Sequence, residues 1–129
     1  MTLSLLLALL ERSAFQQLRS EIAVPLESYS RGLKERGRSS PIVLTEMGTP
    51  AVVREVHVEN LIKAYLSGEL SAIELDYLAN ALDLSEDADY ATKAVREAVF
   101  ALSTPEINGR LSADHLTGLL HELGRGATA

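Results

Sequence analysis

Residues 65–75 read YLSGELSAIEL, and they contain both the end of one helix and the beginning of another. Gly68 is suited to the left-handed conformation that commonly follows the last turn of a helix. Ser71 and Glu74 have the spacing of a capping box, in which each side chain accepts a hydrogen bond from the other residue's backbone N–H. We therefore predict a helix that ends near Ser67, a tight turn, and a second helix directly after Ser71.

Apolar residues recur every three or four positions on both sides of this turn, which is the spacing of one helical face. The stripe before the turn consists of Val58, Leu61, Ile62, Tyr65 and Leu66, and the stripe after it of Ala72, Leu75, Leu78, Ala79 and Leu82. A further helix is predicted from a cap at Ser85, with a stripe formed by Ala88, Ala91, Val95, Ala98, Val99 and Leu102. Ser112 is expected to cap the last helix, which ends at Gly124 and leaves residues 124–129 as a frayed tail.

A longer apolar stripe runs through the first third of the chain. Its members are Phe15, Leu18, Ile22, Leu26, Tyr29 and Leu33, and Leu7, Leu10 and Ala14 continue the spacing backwards. Pro25 interrupts it, and a proline inside a helix removes a hydrogen bond and kinks or divides the helix. Because the apolar residues stay in phase on both sides of Pro25, we predict one helix with a kink there.

The segment from residue 41 to residue 56 has a different character. Two short runs rich in β-branched residues, 42–45 and 52–56, flank a segment that contains Gly48 and Pro50. This pattern predicts a small β-hairpin, and an extended covering loop is the alternative. The predicted fold is therefore a single domain of residues 1–129, mostly all-α, with about five helices in a compact bundle and a hairpin or extended insert near residues 41–56.

Composition limits the possible functions. The chain has 129 residues, a formal net charge of −6 and no cysteine, so a disulfide or a cysteine metal site is excluded. From residue 69 to residue 97 there are eight acidic residues against Lys93 and Arg96. An acidic surface disfavours nucleic acid and suits a basic protein partner, and a solvated helical face is the alternative. The apolar run near the N-terminus is far shorter than the roughly 20 residues that cross a bilayer, so we expect no membrane association and a cytoplasmic location.

No pattern of catalytic residues is found. His115 and His121 are six positions apart and fall on different helical faces, so we expect no metal site. His57 lies at a predicted element boundary, where a surface or capping role is expected. Phosphate-binding loops and nucleophile elbows are absent from the sequence. We therefore predict a non-catalytic protein that uses no cofactor.

A helix-turn-helix interpretation is also weak. Residues 70–85 have the pattern of two capped helices, but the following helix would begin with Glu86, Asp87 and Asp89. These carboxylates would repel the phosphate backbone that a recognition helix must approach. DNA binding is therefore the least favoured function.

Residues 65–75, together with residues 104–112 (TPEINGRLS), resemble small bacterial immunity proteins, which neutralise toxins in contact-dependent and other interbacterial competition. The resemblance covers about the second half of the chain and rests mostly on helix boundaries. It implies a cytoplasmic inhibitor that binds a toxin domain, often through acidic residues that face a basic nuclease active site. No set of binding residues transfers position by position.

From the residues themselves, the candidate partner-binding positions are the acidic cluster and two tyrosines that are candidates for exposure: Asp83, Glu86, Asp87, Asp89, Tyr77 and Tyr90. A place at the edge of the core, with the hydroxyl in water, is the alternative for Tyr65 and Tyr77. Tyrosine is enriched at interfaces because it contributes a large area at a low entropic cost. The alternative function is a self-associating structural or adaptor module, a homodimer that buries the leucine-rich segment 3–10 between two chains.

Overall fold

The computed structural model describes residues 2–36, 49–103 and 113–128, and it is mostly helical with a small two-stranded sheet. The predicted fold class is therefore confirmed. Among the described residues, the elements in chain order are α1 (Leu3–Glu11), α2 (Phe15–Arg36), β1 (Ala51–Val53), α3 (Glu55–Ser67), α4 (Ala72–Leu84), β2 (Ala88–Tyr90), α5 (Lys93–Ser103) and α6 (Ala113–Thr128).

The core is built mainly from leucine. Helix α3 packs against α1 and α6, and α4 packs against α5 and α2. Among the described residues, the largest fully buried side chains are Leu3, Leu6, Leu9, Leu10, Leu18, Ile22, Leu61, Ile62, Leu75, Leu78, Leu82 and Leu102. Full burial of one such side chain contributes about 1.5–3 kcal/mol, so these residues are a large part of the driving force for folding.

The turn between α3 and α4 has the predicted structure. Gly68 follows α3 in the left-handed region with a φ of 87°, and its N–H donates to the carbonyls of Ala64 and Tyr65. Ser71 Oγ accepts from the Glu74 N–H at 3.3 Å, and Glu74 Oε1 accepts from the Ser71 N–H at 2.8 Å. Both halves of the capping box are present.

The N-terminal segment differs from the prediction of one continuous helix. Helix α1 ends at Glu11 and α2 begins at Phe15, with Ser13 between them at a φ of 54°. The Asn60 side chain of α3 donates to the Leu10 carbonyl at 2.9 Å and so satisfies a carbonyl at the end of α1. This tertiary contact favours a break that the apolar spacing does not reveal. Helix α2 continues through position 25, so the proline does not divide it.

The extended segment is confirmed at residues 51–53, but the partner strand is not the expected one. Strand β1 pairs in parallel with β2, and Ala51, Val52 and Val53 lie opposite Ala88, Asp89 and Tyr90. The first arm of the predicted hairpin, residues 42–45, lies outside the described residues. Val56, which was assigned to the second arm, belongs to α3.

The prediction of a helix that starts at Ser85 is wrong. Ser85 follows the last turn of α4, and residues 88–90 form β2. Helix α5 is capped later, by Thr92, whose Oγ1 accepts from the Val95 N–H at 3.2 Å. Ala88 and Tyr90 are half-buried while Asp89 is exposed, which is the alternation of a strand.

The last helix is also longer than predicted. Helix α6 ends at Thr128, so Gly124 does not end it and residues 124–128, predicted as a frayed tail, belong to the helix. A glycine in a helix costs only about 1 kcal/mol relative to alanine. That cost is small enough for the helix to continue.

Candidate protein-binding face

Tyr77, predicted as an exposed contact for a partner, is buried. Its exposed fraction is 5%, and burial raises the pKa of its phenol. Helix α4 packs against α2, α3 and α5, so most of its surface is covered and not only one stripe. Tyr77 is therefore part of the core and is not available to a partner.

Tyr90 is half-buried and has a structural role. Its hydroxyl donates to the Leu82 carbonyl at 3.2 Å, which connects β2 to the last turn of α4. Burial raises the pKa of Tyr90, and the nearby charge of Asp83 raises it further, while Arg96 lowers it. Only part of this side chain remains accessible.

The four acidic positions lie on the connection from α4 to β2. Asp83 is exposed in the last turn of α4, Glu86 is exposed in the turn, and Asp89 is exposed in the middle of β2. Asp87 is half-buried, and its backbone carbonyl accepts from the Ala51 N–H at 2.8 Å. Asp87 therefore helps to place the strands rather than to form an accessible surface.

The helix predicted after Ser85 would place Glu86, Asp87 and Asp89 near its start, where negative charge is favourable, but the structure does not place them at the start of a helix. Residues 86–89 lie outside any helix, and Asp83 lies at the C-terminal end of α4. The helix dipole makes a negative charge unfavourable at that end. The helix dipole therefore offers no explanation for these acidic residues.

Two exposed apolar side chains accompany the acids. Leu84, at the end of α4, is 60% exposed, and Val52 in β1 is 43% exposed. Val52 lies opposite Asp89 in the strand register, so both side chains occupy the same face of the sheet. We call the set of Val52, Asp83, Leu84, Glu86 and Asp89 the acidic–apolar face.

Sequence patterns did not indicate the apolar half of this face. Leu84 is out of phase with the buried stripe of α4, which includes Leu75, Leu78 and Leu82, and that offset was the available signal. Val52 joins the face only because β1 pairs with β2, and no local pattern indicates this pairing.

The leucine-rich segment that the homodimer alternative requires is covered within the chain. Leu3, Leu6, Leu7, Leu9 and Leu10 are all buried against the rest of the core. An apolar contact surface between two copies would need these side chains to be exposed. The segment therefore does not offer that surface.

A groove lies between the α1–α2 junction and the α3–α4 turn. It has a volume of about 480 Å³ and is lined by Ser13, Phe15, Gln16, Arg19 and Glu69. The Nε of Arg19 donates to Glu74 Oε2 at 2.8 Å, so the guanidinium is already paired. The charged lining residues are Arg19 and Glu69, one of each sign, and the pairing of Arg19 with Glu74 leaves no excess positive charge there for an anionic ligand.

Glu74 connects the capping box to α2. Burial alone would raise the pKa of this carboxyl, but hydrogen bonds from the Ser71 backbone and from Arg19 outweigh burial and lower it. Glu74 is therefore ionised at neutral pH and has a structural role between α2 and α4.

The described residues contain no cluster of three or more His, Asp or Glu side chains that could hold a metal ion. Within the same residues, no helix is long and apolar enough to cross a membrane.

Comparisons of the chain with known proteins found no relative. No protein-family model, no curated protein and no solved structure matches the chain. The resemblance to bacterial immunity proteins therefore stays a prediction, and the function must be argued from the acidic–apolar face itself.

Proposed function

We propose that this domain is a non-catalytic protein-binding module whose acidic–apolar face binds a basic protein partner. The observation that carries the proposal is the exposed Leu84 between the exposed carboxylates of Asp83 and Glu86. Leu84 has no place in the core, and the carboxylates have no helix start to stabilise. A partner that covers the leucine and neutralises the acids would account for both.

Charge gives this face its selectivity. The chain carries a formal net charge of −6, so its long-range field attracts basic surfaces and repels acidic ones. Such a field raises association rates and discriminates among partners more than it adds to affinity. Binding is therefore expected to weaken as salt concentration rises.

The apolar side chains supply the part of the binding free energy that salt does not screen. Leu84 and Val52 are large enough to insert into shallow pockets of a partner, and desolvation of such side chains at the centre of an interface is a common source of affinity. The neighbouring acids add polar contacts of the kind found at interface rims. This arrangement suits a partner with an apolar depression bordered by lysine or arginine.

A narrower form of the proposal is a toxin-immunity function, with a basic nuclease domain as the partner. This narrower form is supported by the resemblance of the second half of the chain to small bacterial immunity proteins and by the acidic character of the face. An inhibitor that covers a nuclease active site would compete with nucleic acid through the same negative charge.

The test is affinity capture from a lysate of the source organism with three tagged forms of the chain. They are the unaltered protein, a face variant with Leu84→Ser, Glu86→Lys and Asp89→Lys, and a control variant with Leu66→Ser and Glu69→Lys. The control removes a comparably exposed leucine, 41% exposed, and a nearby acid from the α3–α4 turn. Circular dichroism confirms that all three forms are folded.

We expect one partner to be retained by the unaltered and control proteins and to be lost from the face variant. With the purified partner, the face variant should bind at least about tenfold more weakly, which corresponds to about 1.4 kcal/mol. A partner retained equally by all three forms would overturn the proposed face, and recovery of the chain alone would overturn the proposed function. A basic nuclease among the captured proteins would support the narrower form, and a partner without catalytic activity would contradict it.

A further inference from the structure

His57 is a buried histidine at the start of α3. Its exposed fraction is 3%, and its Nδ1 accepts a hydrogen bond from the Arg54 backbone N–H at 2.9 Å. It occupies the position that Glu or Gln holds in an ordinary capping box. The expected capping role of His57 is therefore present, with a side chain that titrates near neutral pH.

The hydrogen bond fixes the protonation state of the ring. Nδ1 can accept only through its lone pair, so the proton of the neutral ring must lie on Nε2. Nε2 lies 3.7 Å from Glu11 Oε2 at the end of α1. A second proton could add only at Nδ1, where it would face the Arg54 N–H and abolish the hydrogen bond.

Two charged groups act on the ring within the described residues. Burial is the main cause that lowers the pKa of His57, the charge of Arg54 lowers it slightly, and Glu11 opposes both from α1. Glu55, the first residue of α3, is bound elsewhere, because its Oε1 accepts from Thr92 Oγ1 of the α5 cap at 3.3 Å. The neutral ring is thus favoured at physiological pH.

We infer that His57 is a proton-sensitive cap, which holds the start of α3 when neutral and releases it when a proton adds to Nδ1. The protonated ring would instead be drawn to Glu11, since an imidazolium and a carboxylate attract each other across this distance. The protonated ring would therefore lose its contact within α3 and keep only its attraction to Glu11 of α1.

Release of this cap would also affect the strands that precede α3 and α5. Arg54 directly follows β1, and Val53 accepts from the Ala91 N–H at 2.9 Å. The Glu55–Thr92 contact connects the starts of α3 and α5. Loss of the His57 cap should therefore loosen the carboxyl ends of both strands. This inference goes beyond the proposed function and does not depend on it.

The direction of the pH effect follows from the lowered pKa of His57. A group whose pKa is lower in the folded than in the unfolded state contributes stability that is fully present above the unfolded value of 6.5 and is lost as pH falls through the folded value. The cap is therefore intact at neutral pH and is released as pH falls through the lowered pKa of His57.

The test compares the unaltered chain with His57→Gln, because glutamine at this position accepts the same hydrogen bond and does not titrate. Nitrogen NMR of the histidine rings gives the tautomer and pKa of His57, which is identified by the signal that the variant lacks. Amide hydrogen exchange of Arg54 and Ala91 is then measured in both proteins at about pH 7.5 and at a pH below the measured pKa of His57.

We expect a neutral ring with its proton on Nε2 and a pKa below 6.5. We also expect the protection of Arg54 and Ala91 to fall in acid in the unaltered chain by several-fold more than in His57→Gln. An Nδ1–H tautomer, a pKa at or above 6.5, or an equal loss of protection in both proteins would overturn the inference. If His57→Gln does not fold, the tautomer and the pKa of the unaltered chain still decide.

Discussion

Two connections leave opposite ends of α4, and they are held in different ways. The α3–α4 turn is closed by its own residues, since Gly68 ends one helix and Ser71 and Glu74 begin the next. The α4–β2–α5 connection depends on distant residues, because β2 pairs with β1 and Thr92 contacts Glu55. The second connection presents more carboxylates to solvent, because Asp83, Glu86 and Asp89 are exposed there, whereas Glu69 is the exposed acid of the first. Each connection also has an exposed leucine beside it, Leu66 for the first and Leu84 for the second. The two connections therefore differ in where their support comes from and in how much negative charge they expose.

The largest effect on stability is expected from weakening α4, the helix that both connections share. Leu82→Ala removes a fully buried side chain from the last turn of α4. Such substitutions cost about 2–5 kcal/mol because they remove apolar contacts and leave a cavity. Urea unfolding should show a loss in this range.

The matched control is Leu84→Ala, two residues further along. Leu84 is exposed, and surface substitutions usually change stability by less than about 0.5 kcal/mol. Equal destabilisation by the two substitutions would mean that Leu84 is packed, and the acidic–apolar face would lose its central residue.

A smaller effect is expected from breaking the local turn. Gly68→Ala places a Cβ at a φ of 87° where no heavy atom lies within 4 Å, so its cost is backbone strain and not a clash. A non-glycine residue in the left-handed region costs about 1–2 kcal/mol. Denaturant unfolding should give this loss, while exchange of the β2 amides stays unchanged. A several-fold loss of protection in β2 would show that the two connections are coupled.

The two helix caps sharpen the comparison further. Ser71→Ala and Thr92→Ala should each cost about 1 kcal/mol, because each removes the acceptor of a first-turn N–H. Hydrogen exchange should separate them. Ser71→Ala should affect the first turn of α4 alone, and Thr92→Ala should also affect α3, through the lost contact with Glu55. Identical exchange patterns would contradict the distinction between local and distant support.

The smallest effect is a change in acid sensitivity. The lowered pKa of Glu74 contributes stability that is present above its ordinary value of 4.5 and is lost as pH falls through the folded value. Glu74→Gln keeps an acceptor for the Ser71 N–H but loses the charge that holds Arg19. Thermal unfolding between neutral and acidic pH should therefore show a weaker pH dependence in this variant. An unchanged pH dependence would mean that the Arg19 contact adds nothing to folding.

The parts of the fold that were predictable are those whose hydrogen bonds close within a few residues. Gly68 ends α3 in the left-handed region, and the side chains of Ser71 and Glu74 accept from each other's backbone N–H at the start of α4. Their residue types alone therefore determine the turn. The parallel pairing of β1 with β2 was not predictable, because its partners are distant in the chain. Ala88 and Ala91 are compatible with a helical spacing that continues to Val95, and only the pairing with β1 makes residues 88–90 a strand.

Of the acidic–apolar face, only the charged residues could be predicted from the sequence. Asp83, Glu86 and Asp89 are exposed as their residue types suggest. Tyr77 is buried because α4 is covered by several helices, and a single stripe cannot reveal that. Leu84 was missed because leucine usually indicates the core. The offset of Leu84 from the buried stripe of α4 was a local signal, but how far an apolar side chain is exposed depends on tertiary packing.

The contact between Asn60 and the end of α1 also has a consequence for biosynthesis. Helix α1 has nine residues, and a helix of that length is marginal in water by itself. Its leucines pack against α3, and the Asn60 amide that binds the Leu10 carbonyl lies in that same helix. The ribosome makes the leucines well before it makes the helix that covers them. During that interval the emerging chain carries an unprotected apolar segment, which is the type of segment that chaperones bind.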